Sequence, residues 1–246
     1  SGDGRIWCYV IDFDYEYAVN DTLWDRLTNT DNPNYGPITN LESNAAVRRM
    51  NITAWASGSN ANDMAHNLYD VGPGVWNPTD ENDLMIIRDI DHDPWPDNRG
   101  QLLRLTVTDW SGASQTISVT AEKIDGDSFG AGATGWNLQH PTWRPDGNKI
   151  LISATQYPPG PHPPETGSEP PYGGQEIWQL NPDGTGDTRV FAPLTGWYQD
   201  WFPWYRPDSA LNTSLNGLGW FTMPSNRDSE ATADEPGEWE WETYIA

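Results

Sequence analysis

The densest run of potential ligands is Asp89-Ile90-Asp91-His92-Asp93-Pro94-Trp95-Pro96-Asp97, where carboxylates recur at alternate positions. Alternating carboxylates on a loop are how a hard cation such as Ca²⁺ collects oxygen ligands. The run is not an EF-hand. Pro94 stands where that loop needs Gly at its sixth position, and Gly100 where it needs Glu at its twelfth. What survives is a looser calcium site at Asp89, Asp91, Asp93 and Asp97, set against the plainer reading of an acidic connection between strands. Asp12, Asp14 and Glu16 alternate in the same way and read as the solvated face of an edge strand. Asp125-Gly126-Asp127 is a turn signal before it is a ligand pair. No Gly-x-Ser-x-Gly elbow, Walker loop or His-Glu-x-x-His pair occurs, and no spacing of Ser, His and Asp nominates a triad. Cys8 is the single cysteine, so neither an intrachain disulfide nor a thiolate metal site can form. In Ile6-Trp7-Cys8-Tyr9-Val10-Ile11 both strand faces are apolar, and Cys8 reads as a small core residue rather than a reactive thiol.

The elements that would carry such groups are legible from composition. Among 246 residues, 15 Trp, 10 Tyr and 5 Phe supply a large apolar payload, while 23 Gly and 21 Pro supply turns. Many short strands follow, and disorder does not. The formal net charge of −23 repels phosphate backbones and anionic lipid, which excludes nucleic-acid binding as the expected activity. It suits a solvated surface on a secreted or salt-adapted protein. No stretch approaches the roughly 20 apolar residues needed to span a bilayer. The opening Ser1-Gly2-Asp3-Gly4 carries no signal peptide, as expected of a processed chain or an excerpt from a longer one. Asn20-Asp21-Thr22, Asn51-Ile52-Thr53 and Asn212-Thr213-Ser214 are glycan-acceptor patterns of low specificity.

Internal repetition is more informative. Pro141-Thr142-Trp143-Arg144-Pro145-Asp146-Gly147 returns as Pro203-Trp204-Tyr205-Arg206-Pro207-Asp208-Ser209, and a looser copy sits at Trp76-Asn77-Pro78-Thr79-Asp80. Two copies run into apolar strands, Leu84-Met85-Ile86-Ile87 and Ile150-Leu151-Ile152. Behind them come two hairpins. One is Glu176 to Leu180, Asn181-Pro182-Asp183-Gly184-Thr185-Gly186, then Thr188 to Phe191; the other is Leu102 to Val107, Asp109-Trp110-Ser111-Gly112, then Thr116 to Val119. An aromatic-Pro-Asp turn, a buried strand, a connection and a hairpin make four strands, which is the content of a propeller blade. Between Tyr157 and Gly174 seven prolines cannot donate ladder hydrogen bonds, so 157–174 is an inserted loop on one face of the array.

The run from Pro141 to Ile150, followed by Glu176 to Gly186, resembles the WD-like propeller repeat of TolB and its relatives. That family places an aromatic-Ser-Pro-Asp-Gly turn before a strand and an Asn-x-Asp-Gly hairpin after it. Arg144 replaces the usual Ser, Ser209 replaces the turn Gly in the next unit, and Thr79 interrupts the upstream turn. The resemblance implies an all-β fold, a β-propeller of four-stranded blades, over 1–246 as one region. The blade-like units are about 1–30, 76–120, 136–192 and 197–246, with a cryptic unit near 46–70. In this reading Arg5–Ile11 and Leu23–Thr28 are the last two strands of a blade, and 197–246 supplies the first three of another. So few units predict a partial or partner-completed ring. Propeller lyases of similar build hold a divalent metal with channel-facing His and Gln. Gln139 and His140 are matching residue types, while His66, His92 and His162 fall in predicted loops.

The expected function is a secreted, periplasmic or envelope-associated scaffold that binds a protein partner or larger assembly without catalysis. Its expected contact residues are Tyr157, His162, Tyr172, Trp197, Tyr198, Trp201 and Trp204, since Tyr and Trp are enriched at interfaces. No cofactor is expected beyond the calcium candidate. Two other classes stand beside this one: a metal-dependent polysaccharide lyase or hydrolase, and a carbohydrate-binding propeller that stacks sugar rings on Trp.

Overall fold

The computed structural model describes residues 8–56, 74–89, 100–111, 116–124, 136–156, 176–191, 203–205, 221–225 and 242–245. Its elements in chain order are β1 (Tyr9–Ile11), β2 (Glu16–Ala18), β3 (Asp21–Thr22), α1 (Leu23–Thr28), a 3-10 turn at Leu41–Ser43, β4 (Val47–Trp55), β5 (Val75–Asn77), β6 (Asp80–Asp89), β7 (Gly100–Asp109), β8 (Thr116–Lys123), β9 (Trp136–Trp143), β10 (Ile150–Gln156), β11 (Glu176–Leu180), β12 (Thr188–Arg189), β13 (Trp204–Tyr205), β14 (Phe221–Ser225) and β15 (Glu242–Ile245). The class is all-β. The chain divides into two compact units, Ser1–Asp70 with Val107–Ala121, and Val71–Thr106 with Glu122–Ala246.

In the first unit β4 lies between two neighbours. It runs antiparallel to β1, with Tyr9 opposite Arg49 and Ile11 opposite Val47. Against β8 it runs parallel, from Arg49 opposite Thr116 to Trp55 opposite Ala121. Val47, Met50 and Ile52 are buried on β4, as are Ile117, Val119 and Ala121 on β8. Alternation of this kind marks each strand but does not name its partner. The sequence reading put 46–70 and 76–120 in separate blades; here their strands pair, and in the parallel sense, which an up-and-down meander does not contain.

Leu23–Thr28 is helical, not the expected strand. The Thr22 hydroxyl accepts a hydrogen bond from the Asp25 amide at 3.1 Å, and the Asn29 amide closes the turn on the Asp25 carbonyl at 2.9 Å. A side-chain cap followed by an acidic residue in the first turn is a local helix start. Leu23 and Leu27, four residues apart, also fit the helical period rather than a strand's.

The second unit holds the strongest repeat. β9, β10, β11 and β12 form a four-stranded antiparallel sheet in sequence order, with Ile150 opposite Trp143, Ile152 opposite Trp178, and Trp178 opposite Arg189. From one face Leu138, Trp143, Ile150, Ile152, Ala154, Trp178 and Leu180 pack with Met85, Ile87, Leu102 and Ile124 into one apolar cluster. Leu151, Ser153 and Ile177 on the other face are buried too. A strand buried on both faces reads as a continuous apolar run, which is why Ile150-Leu151-Ile152 shows no alternation. Each large apolar side chain so removed from water contributes about 1.5–3 kcal/mol. Within the same unit β5 pairs with β6 and β6 with β7, both antiparallel, and β13, β14 and β15 form a three-stranded antiparallel sheet. Trp143 and Tyr205 each end the first strand of their sheet, opposite Ile150 and Phe221.

Candidate functional site

Of the residues singled out from sequence, Gln139 and His140 are brought into a defined local geometry. Gln139 pairs with Ser153 and Thr142 with Leu151, so His140 and Pro141 together face the single residue Ile152. That is a β-bulge on the edge strand β9. Two causes meet there. Pro141 has no N–H to give the ladder and keeps its predecessor out of the right-handed helical region. His140 takes the left-handed region instead, at φ 52°. Non-glycine residues held there store strain that clusters at functional sites. His140 is half-buried, and burial pushes its imidazole below the ordinary value of 6.5, so the neutral ring dominates at pH 7. A neutral imidazole is the form that binds a metal or accepts a proton.

Among the described residues no group of three or more His, Cys, Asp or Glu gathers around one point. Asp89 ends β6, and Trp204 lies in β13. Asp91, Asp93, Asp97, Tyr157, His162, Tyr172, Trp197, Tyr198 and Trp201 lie outside the described residues, as do Asn212 and the Pro-rich loop. Asp12 and Asp14 are exposed but occupy a turn, in which the Asp14 amide donates to Asp12 Oδ1 at 3.1 Å; Glu16 begins β2.

The turns of the second unit consume their own polar groups. Buried Asp83 takes both Nε and Nη2 of Arg104 at 2.9 Å each, and Asn77 Nδ2 donates to it at 3.1 Å. Asn77 Oδ1 in turn accepts from the amide and hydroxyl of Thr79, both at 2.9 Å. The two related turns lie against each other. Gly147 sits at φ +72°, and a Cβ there would collide with Thr79 Oγ1 and come within 2.6 Å of Asn77 Oδ1. Trp143 Nε1 donates to the Val75 carbonyl at 3.0 Å beside them. The Arg144 guanidinium holds the Asp146 carboxyl below its usual range, and the Thr185 amide and hydroxyl do the same for Asp183. Ionised and already bonded, these carboxylates fasten turns rather than exchange protons.

A buried polar group that the sequence reading missed is Glu176. Its Oε2 accepts from Trp178 Nε1 at 3.1 Å and lies 2.8 Å from Arg189 Nε, whose guanidinium stands 5.1 Å from the Trp178 ring centroid. The signal was present: Glu176 and Trp178 share a strand face, and the Asn181–Gly186 turn sets Arg189 across from them. Burial pushes the Cys8 thiol up to about 11, and its Sγ lies 3.7 Å from Met50 Sδ. A thiol so high is protonated at neutral pH and a poor nucleophile.

Among the described residues no helix is long and apolar enough to cross a membrane. Compared with known proteins, the chain matches no family model, no curated protein and no solved structure.

Proposed function

We propose that this chain is a TolB-like β-propeller scaffold, secreted or envelope-associated, that binds a protein partner through loops on one face and carries out no catalysis. The observation that supports the reading is the sheet of β9 to β12. It follows the strongest copy of the repeat, places four antiparallel strands in sequence order, and buries both faces. A blade flanked by a neighbour on each side requires burial of that kind. The ring it belongs to is partial or completed by a partner. The polar turns favour a scaffold, since the carboxylates of Asp146 and Asp183 are tied up in Asx-type and Arg bonds.

The competing reading, a metal-dependent polysaccharide lyase, has one specific observation in its favour: the strained, neutral His140 next to Gln139. Elemental analysis of the purified native protein, run beside an assay for unsaturated products from an acidic polysaccharide, separates the two. The scaffold is expected to hold manganese and zinc well below one equivalent and to release no product. One equivalent of either metal, lost in His140→Ala together with product formation, overturns the scaffold reading.

A further inference from the structure

Residues 12–36 form a small ordered excursion with almost no apolar core of its own. Leu23 is the only buried residue of α1. Order comes from polar stitching. Arg26 grips both oxygens of Asp21, at 2.8 and 2.5 Å, and its guanidinium lies 3.7 Å above the Tyr17 ring. Asn32, itself buried, donates to Asp21 and Asp25, and its Oδ1 accepts from the Asn34 amide at 2.7 Å. The Gly36 amide returns to the Arg26 carbonyl at 3.0 Å. So rigid a frame displays large apolar rings outward. Trp24 is 58% exposed and Phe13 46%, and they stand edge to face with centroids 6.1 Å apart. The Trp24 amide donates to the Phe13 carbonyl at 2.8 Å, which fixes the pair to the backbone.

The charge of the segment that carries the pair is one-sided. Segment 12–36 holds six carboxylates and a single cation, Arg26, and that cation is already engaged by Asp21. Exposed Asp12 and Asp14 flank Phe13 directly, with Glu16 next along the chain. Exposed aromatic faces beside uncompensated carboxylates attract a guanidinium or ammonium group twice over, through the ring quadrupole and through Coulomb attraction.

We propose that Phe13 and Trp24, with the exposed Asp12, Asp14 and Glu16 beside Phe13 in the chain, form a docking site for an arginine-bearing segment of a partner protein. The nature of the partner rests on the scaffold reading, while the site stands on the geometry of residues 12–36. Arginine is favoured over lysine because its planar guanidinium stacks on a ring while bonding a carboxylate in the same plane.

The test uses the full 246-residue chain. Its probe is a fluorescein-labelled hexa-arginine peptide, with a Ser/Gly peptide of equal length and cellohexaose as comparison ligands. Hexa-arginine is expected to bind; Trp24→Ala should weaken it by about three- to fivefold, and Trp24→Tyr should retain most of the affinity. Trp110→Ala, a tryptophan 36% exposed elsewhere, should leave it unchanged. Unaltered thermal unfolding of the Trp24 variants shows that a loss is local. Equal binding by wild type and Trp24→Ala overturns the proposal in favour of diffuse attraction to an acidic surface. Trp24-dependent binding of cellohexaose without hexa-arginine overturns it in favour of a sugar platform. Absence of any binding overturns it as well, and leaves the scaffold reading to its own metal and product assays.

Discussion

Strands β9, β10 and β11 are held by apolar contact, in a cluster where Ile150, Ile152 and Ala154 have lost all exposure to water. Between Asp12 and Gly36 the chain is held by a mesh of side-chain hydrogen bonds around Asp21, Asp25, Arg26 and Asn32. The first kind of order is non-directional and proportional to buried area, and it tolerates polar change at the rim. The second is directional and half-solvated, so it depends on the protonation of particular groups and is screened by salt. The difference accounts for what each region shows to solvent. Apolar rings are spent on the core in the sheet and remain exposed in the excursion.

The contrast is broken most severely by removing a core ring. Trp143→Ala deletes a buried indole and its bond to the Val75 carbonyl. It should cost about 3–5 kcal/mol in chemical denaturation. A loss under about 1 kcal/mol would mean that the cluster does not carry the sheet. A smaller effect is expected from Thr22→Ala, which removes the cap of α1. About 1 kcal/mol is the usual worth of such a cap, and the loss should appear as faster amide exchange confined to 21–29, with β9, β10 and β11 unchanged.

The gentlest perturbation is pH. The hydrogen bond from Arg26, with help from Asn32 and Asn34, brings the Asp21 carboxyl down to about 2 from an ordinary 3.8. A carboxyl depressed in the folded state stabilises above its unfolded value, and that contribution disappears as pH falls through the folded one. Order in 12–36, followed through the amide signals of Trp24 and Asn32, should therefore fade between about pH 4 and pH 2. Asp21→Asn should remove the dependence across that window. Identical titration of wild type and variant would place the origin of the order elsewhere.

Local chemistry was readable from the chain. The turn at Asn181 to Thr185 announces its hairpin because Asp183 bonds the Thr185 amide two residues on, and Gly184 accepts a positive φ. The run Ile150–Ile152 announces a buried strand because nothing polar interrupts it, and Leu102–Val107 keeps four apolar residues around Arg104 and Thr106. Residues 23–28 went the other way even though their helix is also local. The cap at Thr22 acts on a six-residue segment, too short for its apolar period to identify helix or strand.

What only the tertiary structure decided depends on groups distant in sequence. β4 finds β8 as a parallel partner across an intervening stretch of about 60 residues, a choice set by which apolar faces meet rather than by either strand alone. Gly147 and Thr79 are forced together by packing that neither turn encodes by itself. His140 reads as an ordinary residue before proline until the register against β10 places it in a bulge at positive φ. Its strain and its neutral ring then follow from a bulge and from burial, and both are properties of the fold.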